Sequence, residues 1–560
     1  MSRASISLSA GYVLEFWARG PGSIRISQGD ALLWQVPAFS EHVDFFRYHH
    51  SRSGGVSVEW DRSEAVLFAY GYDPAAVAEV GITIWDFGGE ALTLRTGAEV
   101  DAWMRSDAMR PVLHFSPVRQ WMNDPNGLSK RGDSWHLFYQ FNPASTEWGP
   151  MHWGHALSTD MFNWVHQPVF LHPEQNLWRL GATGGAFSGN AFEDRDGSRM
   201  FFYTERLPAY DLVKGYREVQ KLARPDPGSL GAAGIETVIA TRPEHEGVEH
   251  DFRDPKVWWD EAAGAYRMVL GAALHGDPAV LLYGSANLHD WSYLGPLYRA
   301  PARYREHGAR AVECPDFFLL DGKWVMVMSF VGYTEPASGR HNLLYALVGE
   351  FRDDRFIPDS DNLQLLDFGT DFYAMQSFAA DGRQLALAWL FNWEDRKPAG
   401  SPYSGEMSLP RELRLDGAGR LCMLPVAELD AAWPAMPLSS EADGGFALGG
   451  APFELRLSGS LEGTRIVASQ QGAPSFEVQV SAGRLTIRLP QDDGKIRYEA
   501  ELGTATDLRL VHDRGIIEVF ADHGAVCGTR RSYRNVAPDR VEVISAAQFT
   551  VSERSAPKRV

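Results

Sequence analysis

Three acidic residues in the middle of the chain stand just before prolines. Asp124 and Asp254 each directly precede a proline, and Glu313 stands two positions before Pro315. Proline disfavours helical backbone geometry in the residue before it, so both aspartates are expected in extended segments. Asp-Pro is also an ordinary turn sequence, so one such pair alone predicts no more than a turn.

Carboxyl groups that face one cavity are suited to the cleavage of glycosidic bonds. One carboxylate attacks the anomeric carbon while a carboxylic acid protonates the leaving oxygen. A third carboxylate can bind ring hydroxyls and stabilise an oxocarbenium-like transition state. Sugar stacking and core packing account equally well for the aromatic side chains near the acids. These aromatic residues are Trp148, Trp153, Phe187, Tyr373 and Trp393. His152 and His155 lack a dependable metal-ligand spacing, so no metal site is predicted.

The elements that would bring the acids together are strands that repeat at a regular interval. Strongly apolar strand cores are centred on Phe138, Phe201, Met268, Met326 and Leu387, with gaps of 63, 67, 58 and 61 residues. Five units of about four strands predict a five-bladed β-propeller, and a large sandwich with accidental spacing is the alternative. The three acids lie 130 and 59 residues apart, about two units and one unit. Residues at equivalent places in different blades would converge on the central channel.

The rest of the chain also alternates with a period of two, and long helical periodicity is scarce, which predicts an all-β protein. Residues 1–105 fall outside the repeat and are predicted to form an additional N-terminal β-rich domain. Residues 106–430 would form the catalytic propeller, and residues 431–560 a C-terminal β-sandwich. The stretch 430–437 is interpreted as a linker.

The bulk composition argues against several classes of protein. The 560 residues include 53 basic and 72 acidic side chains, and the net charge of −19 disfavours nucleic-acid binding. Three distant cysteines (Cys314, Cys422 and Cys527) do not form a disulfide framework or a zinc pattern. No apolar run of about 20 residues predicts a membrane span. The N-terminus lacks a secretory signal pattern, which predicts a cytoplasmic protein, although a secreted mature form would look the same.

A series of sequence motifs resembles those of glycoside hydrolase family 32, the group of invertases, levanases and inulinases. The motifs follow the order of the family and span roughly residues 112–415, which makes the set far more specific than any one of them. They are HFSP (114–117) with WMNDPNG (121–127), FYQFNP (138–143), EWG (147–149) with HWGH (152–155), FSG (187–189), FRDPKV (252–257), ECPD (313–316), DFGTDFY (367–373) and MSLPREL (407–413).

The resemblance implies a role for each matching residue. Asp124 would be the nucleophile, Glu313 the acid/base, and Asp254 a stabiliser of the transition state. The side chains that would shape the pocket for a fructosyl ring are Asn123, Gln140, Trp148, Phe187, Ser188, Arg253, Cys314 and Trp393. The resemblance also implies a five-bladed propeller followed by a β-sandwich, and a reaction that needs no metal or organic cofactor.

The activity that the resemblance implies is retaining hydrolysis of terminal β-D-fructofuranosyl units from sucrose, fructo-oligosaccharides or fructans. A fructosyltransferase, a difructose-forming or difructose-cleaving enzyme and a sucrose-6-phosphate hydrolase share the scaffold, and these alternatives stay open. Linkage preference and chain length also stay open. The two fructoside-type motifs around Asp124 and Glu313 argue against an arabinan-type hydrolase. The presence of all three acids argues against a non-catalytic carbohydrate-binding propeller.

Two features depart from the family pattern. Residues 1–105 have no counterpart in its two-domain members, and would serve as a carbohydrate-binding module, an oligomer contact or a cover over the pocket rim. If the chain forms a homo-oligomer, the N- or C-terminal β domain is the expected contact. Asn190 follows the FSG motif where serine is common, which predicts an altered pocket rim.

Overall fold

The computed structural model describes residues 1–208, 215–226 and 230–555. Strands dominate these residues, so the predicted all-β class is confirmed. None of the helices in the described segments is long and apolar enough to cross a membrane. The α-helices are α1 (Val77–Val80), α2 (Ala98–Arg105), α3 (Ala302–Glu306) and α4 (Glu428–Ala432), and single 3-10 turns cover Ser63–Ala65, Glu244–Glu246 and Asp522–Gly524.

The first nine strands form two sheets that pack face to face, in the orders β1-β6-β3-β4 and β5-β2-β7-β8-β9. Successive side chains of a strand point to opposite faces. Phe16 therefore packs between the two sheets, while Trp17 packs against the next part of the chain. The strands are β1 (Ser2–Leu8), β2 (Val13–Ala18), β3 (Ser23–Gln28), β4 (Ala31–Val36), β5 (Asp44–His49), β6 (Gly54–Asp61), β7 (Val66–Tyr72), β8 (Thr83–Phe87) and β9 (Leu92–Arg95).

The N-terminal sheets share a hydrophobic core with the central region. The indole of Trp17 stacks on His172, with ring centroids 6.0 Å apart, and Phe68 meets Phe141 edge-on at 5.9 Å. The side chain of Gln120 donates a hydrogen bond of 2.8 Å to the carbonyl of Leu67. The N-terminal sheets therefore hold the start of the strand that carries Asp124.

The central region consists of five successive antiparallel runs of four strands. The first strands of the runs contact one another in order, and the fifth contacts the first again, so they close a ring. Parallel pairing of β12 with β14 joins the first two runs. The runs are β10 (Gln120–Arg131), β11 (Ser134–Asn142), β12 (Pro150–Ser158) and β13 (Trp164–Leu171); β14 (Gly184–Glu193), β15 (Arg199–Pro208), β16 (Tyr216–Pro225) and β17 (Ala232–Ile239); β18 (Val248–Asp260), β19 (Ala265–Leu274), β20 (Asp277–Ser285) and β21 (Ser292–Arg299); β22 (Ala311–Leu320), β23 (Lys323–Val331), β24 (Leu344–Arg352) and β25 (Arg355–Pro358), with the short β26 (Gln364–Leu365); and β27 (Phe372–Ala380), β28 (Arg383–Leu390), β31 (Arg411–Leu415) and β32 (Leu421–Pro425), with the short β29 (Tyr403–Ser404) and β30 (Glu406–Met407).

Each first strand of the ring carries an irregularity at the same place. Its pairing register with the second strand shifts between residues 122 and 125, 186 and 189, 253 and 256, 313 and 316, and 373 and 376. A β-bulge redirects side chains that strict alternation would place on one face or the other. Asp254 and Cys314 lie in two of these bulges with φ of 64° and 46°, a left-handed geometry that costs of order 1 kcal/mol or more outside glycine. Such strain is typical of functional sites.

The C-terminal region is a pair of six-stranded sheets with a continuous apolar core between them. Their orders are β33-β44-β35-β40-β41-β42 and β34-β43-β36-β37-β38-β39. The strands are β33 (Ala435–Pro437), β34 (Phe446–Ala447), β35 (Phe453–Ser458), β36 (Arg465–Gln470), β37 (Ala473–Ser481), β38 (Arg484–Arg488), β39 (Glu499–Glu501), β40 (Asp507–Asp513), β41 (Ile516–Ala521), β42 (Val526–Arg531), β43 (Arg540–Ile544) and β44 (Gln548–Arg554).

The interpretation of residues 430–437 as a linker is wrong. The end of α4 occupies the first part of this stretch, and β33 pairs with β44 in the second part. The helix buries Leu429 and Ala432, because its apolar side packs with Val511 of the C-terminal sheets. The proline-rich sequence therefore joins two regions through packed elements.

Buried ion pairs connect the central and C-terminal regions. Arg411 pairs with Glu518 at 3.1 Å, and Arg531 pairs with Glu406 at 3.0 Å. The four side chains are at most 1% exposed. Removal of either partner would leave the other charge buried and uncompensated, which destabilises the folded state. These contacts therefore hold the two regions in one arrangement.

Candidate active site

A cavity of about 380 Å³ opens where the five bulges converge at one end of the ring. Every side chain predicted for the site lines this cavity except Cys314, which is 1% exposed and touches the pocket acids from behind. The predicted residues that line it are Asn123, Asp124, Gln140, Trp148, Phe187, Ser188, Arg253, Asp254, Glu313 and Trp393. The structure therefore brings together residues that lie up to 270 positions apart in the chain.

Asp124 is held by side chains from three of the five runs of the ring. Its Oδ2 accepts hydrogen bonds from the Ser188 hydroxyl at 2.6 Å and from the Cys314 thiol at 3.4 Å. Within the described residues, its Oδ1 accepts a single long bond of 3.2 Å, from Asn123, whose own Oδ1 accepts a hydrogen bond from Trp121. Burial raises the pKa of Asp124, and the hydrogen bond from Ser188 partly offsets this effect. One carboxylate oxygen is thus oriented and the other is largely free.

Asp254 is 4% exposed and lies beside the same cysteine. The backbone N–H of Cys314 donates to Asp254 Oδ2 at 2.8 Å, and the Asp254 N–H donates to the Thr204 hydroxyl at 2.9 Å. Burial raises the pKa of Asp254 to about 7, although the charge of Arg253 acts in the opposite direction. Cys314 therefore joins Asp124 and Asp254 through its thiol and its amide.

Glu313 is held by a cation and a phenol. Arg253 Nη2 donates to Glu313 Oε1 at 2.6 Å, and the Tyr373 hydroxyl donates to Oε2 at 2.7 Å. Arg253 also pairs with Glu218 at 3.1 Å and with Asp251. Burial alone would lower the pKa of Arg253, but the surrounding carboxylates raise it well above its usual value, so the guanidinium stays charged.

The remaining predicted side chains form the walls. Gln140 donates to the carbonyl of Ala186 at 2.8 Å, which leaves its amide oxygen for another partner. Trp148 is 42% exposed and meets Phe187 edge-on at 6.1 Å. Trp393 lies on the other side, perpendicular to the ring of Tyr373 at 5.6 Å.

Of the two alternatives for Trp153, the structure shows core packing, because the indole is fully buried and donates to the carbonyl of Phe187. The prediction that Asn190 alters the pocket rim is wrong. Asn190 lies beyond the bulge of β14 and lines a cavity at the other end of the ring, so it does not alter the pocket rim. Its amide oxygen accepts the N–H of Val257 instead.

Several further lining residues have no recognisable signal in the sequence. Three arginines reach the pocket, and none of them belongs to a recognised motif: Arg206, Arg310 and Arg396. Arg310 pairs with Asp251 at 2.8 Å, and Arg396 lies 3.7 Å from Glu147. Trp389 and Phe391 complete the aromatic wall. Among the residues that the structure describes, no group of three or more His, Cys, Asp or Glu side chains is arranged to hold a metal ion.

Two family models match the chain. The model of the N-terminal domain of glycosyl hydrolases family 32 matches residues 114–425, and the model of the C-terminal domain of that family matches residues 451–556. The first match contains all three pocket acids. The second covers most of the C-terminal pair of sheets.

Individual relatives agree with these matches. The chain is 33% identical to a raffinose invertase of Escherichia coli over 77% of this chain and 90% of the relative. It is 37% identical to a sucrose-6-phosphate hydrolase of Escherichia coli over 58% of this chain and 66% of the relative. The structure of a glycoside hydrolase family 32 protein from Bifidobacterium adolescentis has the same fold, with a TM-score of 0.85, 23% identity and coverage of 99% of this chain and 100% of that one. This coverage includes the N-terminal sheets.

Proposed function

Since the chain belongs to glycosyl hydrolases family 32 and is a glycoside hydrolase, we propose that it is a retaining β-fructofuranosidase. Its substrates are sucrose and short fructans, from which it releases terminal fructosyl units. The observation that carries the proposal is the convergence of Asp124, Asp254 and Glu313 on one cavity, with Cys314 in contact with two of them. Asp254 is buried and Asp124 and Glu313 are half-buried, and carboxyl groups brought together in this way are costly to keep unless they are used.

In the first step Asp124 attacks the anomeric carbon C2 of the fructosyl unit. Its Oδ1 is the attacking oxygen, because Oδ2 is held by Ser188 and Cys314. Glu313 gives its proton to the glycosidic oxygen as the C2–O bond breaks. Arg253 and Tyr373 then stabilise the carboxylate that Glu313 has become.

In the second step water attacks C2 of the fructosyl ester on Asp124. Glu313 takes the proton of the water, and the ester bond breaks to release fructose and restore the aspartate. Asp254 is placed to accept hydrogen bonds from ring hydroxyls, which strengthen as positive charge develops at the anomeric centre. This scheme predicts retention of the anomeric configuration.

The five runs of strands act as the blades of a five-bladed propeller in this proposal. The closed ring of first strands supports that architecture, because bulges at one level present one or two residues from each blade to the pocket. A single pocket of about 380 Å³ favours attack on a chain end, since it has room for only a few sugar-sized units. The N-terminal and C-terminal sheets both pack against the blades, although they come from opposite ends of the sequence.

Product analysis tests the proposed activity. Purified protein is incubated with sucrose, 1-kestose, inulin and levan, and Asp124→Asn serves as the matched control because it keeps the side-chain volume. Fructose release by the wild type that is lost in the variant supports the proposal. Absence of fructose release from all four substrates by folded protein contradicts it. Oligosaccharides as the main products at high sucrose would identify a transferase instead.

The rim arginines favour a phosphorylated disaccharide as a second candidate substrate. Arg396 is 64% exposed on its side chain, and its pairing with Glu147 at 3.7 Å leaves it able to bind another anion. Guanidinium groups bind phosphate through paired hydrogen bonds. Rates on sucrose 6-phosphate and sucrose are compared in the wild type and in Arg396→Met. A phosphate preference of about tenfold that disappears in the variant supports this candidate, and equal rates in both proteins exclude it.

A further inference from the structure

Three carboxylates share the guanidinium of Arg253. Its Nη2 donates to Glu313 at the pocket, while its Nη1 lies 3.1 Å from Glu218 Oε1 and also donates to Asp251 Oδ1. The side chains of Glu218 and Asp251 are 1% and 2% exposed, and neither of them is among the described residues that line the pocket. Two buried carboxylates therefore lie behind the arginine that holds Glu313.

Glu218 connects two neighbouring runs of the ring at this point. It lies on β16, and its Oε2 accepts the backbone N–H of Phe252 at 2.7 Å. On the same strand, the side chain of Gln220 donates to the carbonyl of Phe252 at 2.9 Å. The third strand of one run thus fixes the bulged first strand of the next run, immediately before Arg253.

Asp251 is a fixed negative charge on the other side of the same guanidinium. Its φ is 56°, a left-handed geometry that costs of order 1 kcal/mol or more outside glycine. Its carboxylate accepts a hydrogen bond of 2.7 Å from His250 Nδ1 and pairs with Arg310 at 2.8 Å. Burial raises the pKa of Asp251, but His250 and Arg253 lower it by more, so the carboxylate stays ionised.

A cation in contact with Glu313 works against the role of that residue as an acid. An opposite charge at hydrogen-bond distance favours the ionised form of a carboxyl group. In the first step, however, Glu313 must hold a proton when the substrate binds. Glu218 and Asp251 offset the effect of Arg253, because they bring two negative charges to the same guanidinium.

Other titratable and charged groups also surround these residues. Those that face Glu313 are Asp124 on β10, Arg253 and Asp254 on β18, Cys314 on β22 and Tyr373 on β27. Those around the carboxylate pair are Arg206, Tyr216, His250 and Arg310. A substitution at Glu218 or Asp251 alters none of these groups, so a change in the ionisation of Glu313 can be attributed to the pair.

We propose that Glu218 and Asp251 are positioning residues for the acid/base. They hold the guanidinium of Arg253 against Glu313 and compensate its charge, so that Glu313 is oriented by a hydrogen bond and still keeps the proton for the leaving group. This inference rests on the proposed retaining reaction. Neither carboxylate belongs to a recognised motif of the sequence.

The pH dependence of kcat/KM for sucrose tests the pair, because it reports the ionisation of the acid and the base in the free enzyme. Profiles are measured for the wild type, Glu218→Gln, Asp251→Asn and Glu218→Asp. Glu205→Gln is the matched control, since Glu205 is a buried glutamate on the neighbouring strand β15 whose carboxylate accepts the backbone N–H of Glu174. A fructoside whose leaving group needs no protonation is the second substrate.

We expect the alkaline limb of the profile to move to lower pH by about one unit in Glu218→Gln and Asp251→Asn, because a negative charge beside Arg253 is lost. Glu218→Asp keeps the charge, so its limb should lie near that of the wild type even if its kcat falls. Glu205→Gln should match the wild type. With the activated fructoside the first step needs no acid, so kcat/KM should not show the shift.

Infrared titration measures the same effect without turnover. The band of the protonated Glu313 carboxyl is identified by its loss in Glu313→Gln. This band should disappear at lower pH in Glu218→Gln than in the wild type. Asp251→Asn provides the same test if Glu218→Gln does not fold.

An alkaline limb that stays in place or moves to higher pH in the amide variants would overturn the proposal. An equal loss of activity at every pH and on both substrates would also overturn it, because the pair would then be merely structural. A wild type that releases no fructose would contradict the proposed function, and the infrared titration would still decide whether the pair controls the ionisation of Glu313.

Discussion

Replacement of Asp254 by asparagine is expected to abolish catalysis and stabilise the protein at the same time. Burial raises the pKa of this carboxyl from 3.8 to about 7. A pKa shift of about three units means that ionisation of the group destabilises the folded state by on the order of 4 kcal/mol. Asparagine keeps the size of the side chain and an oxygen that accepts the Cys314 N–H, but carries no charge.

The sign of the effect follows from proton binding. Between pH about 4 and 7 the folded state holds a proton on Asp254 that the unfolded state has lost, so the stability of the wild type falls as pH rises through this window. The variant does not share this loss. Its advantage should therefore be near zero below pH 4 and complete above pH 7.

Thermal unfolding at pH 8 and pH 5 measures this advantage. For a protein of this size, 4 kcal/mol corresponds to a rise in Tm of roughly 3 °C if the chain unfolds as one unit. Asp251→Asn is the matched control with the opposite sign. Burial raises the pKa of Asp251, but His250 and Arg253 lower it by more, so the net shift is downward. Loss of this carboxylate should therefore destabilise the protein most above pH 4. An Asp254→Asn variant that is less stable than the wild type at pH 8, or whose Tm is shifted equally at both pH values, would show that ionised Asp254 does not destabilise the folded state.

Three further predictions follow from the contacts of the site and its supports. Ser188→Ala removes the 2.6 Å hydrogen bond to Asp124, so kcat/KM for sucrose should fall about tenfold. The fall should be larger at acid pH, because the pKa of Asp124 rises further without this bond. A pH-rate profile measures this effect, and an unchanged profile would contradict it. Arg531→Met removes the 3.0 Å partner of Glu406 and leaves Lys397, at 3.3 Å, to compensate part of its charge. The substitution should therefore cost about 3 kcal/mol, the lower end for a broken buried pair, and lower the Tm with little change in KM. An unchanged Tm would mean that the pair does not hold the two regions together. Methanol added to the reaction should yield the β-methyl fructofuranoside, identified by NMR, while the α-anomer would exclude a retaining reaction.

The three acids could be predicted from sequence because the strand repeat and the bulges have nearly the same period. Each acid lies in or beside a bulge of a first strand, so a fixed interval along the chain becomes a common level around the ring. Local proline chemistry marked the same positions. Periodicity and local motifs together therefore carried most of the information about the pocket.

The residues that sequence reasoning missed or misplaced depend on contacts between distant elements. Arg396 enters from a loop and Arg206 from a second strand, so neither follows the interval of the acids. Trp153 and Asn190 stand close to pocket residues in sequence, but strand direction and alternation turn them elsewhere. The proline-rich stretch 430–437 looked like a linker because its buried partners come from the last strands of the chain.

The most direct test of the central claim is to trap the fructosyl intermediate on Asp124. Glu313→Gln is mixed with a fructoside whose leaving group needs no protonation, quenched with acid, digested and examined by mass spectrometry. We expect a peptide containing Asp124 that is heavier by one fructosyl unit, because the first step proceeds and the second lacks its base. Rapid turnover without any adduct, or an adduct on another residue, would contradict it.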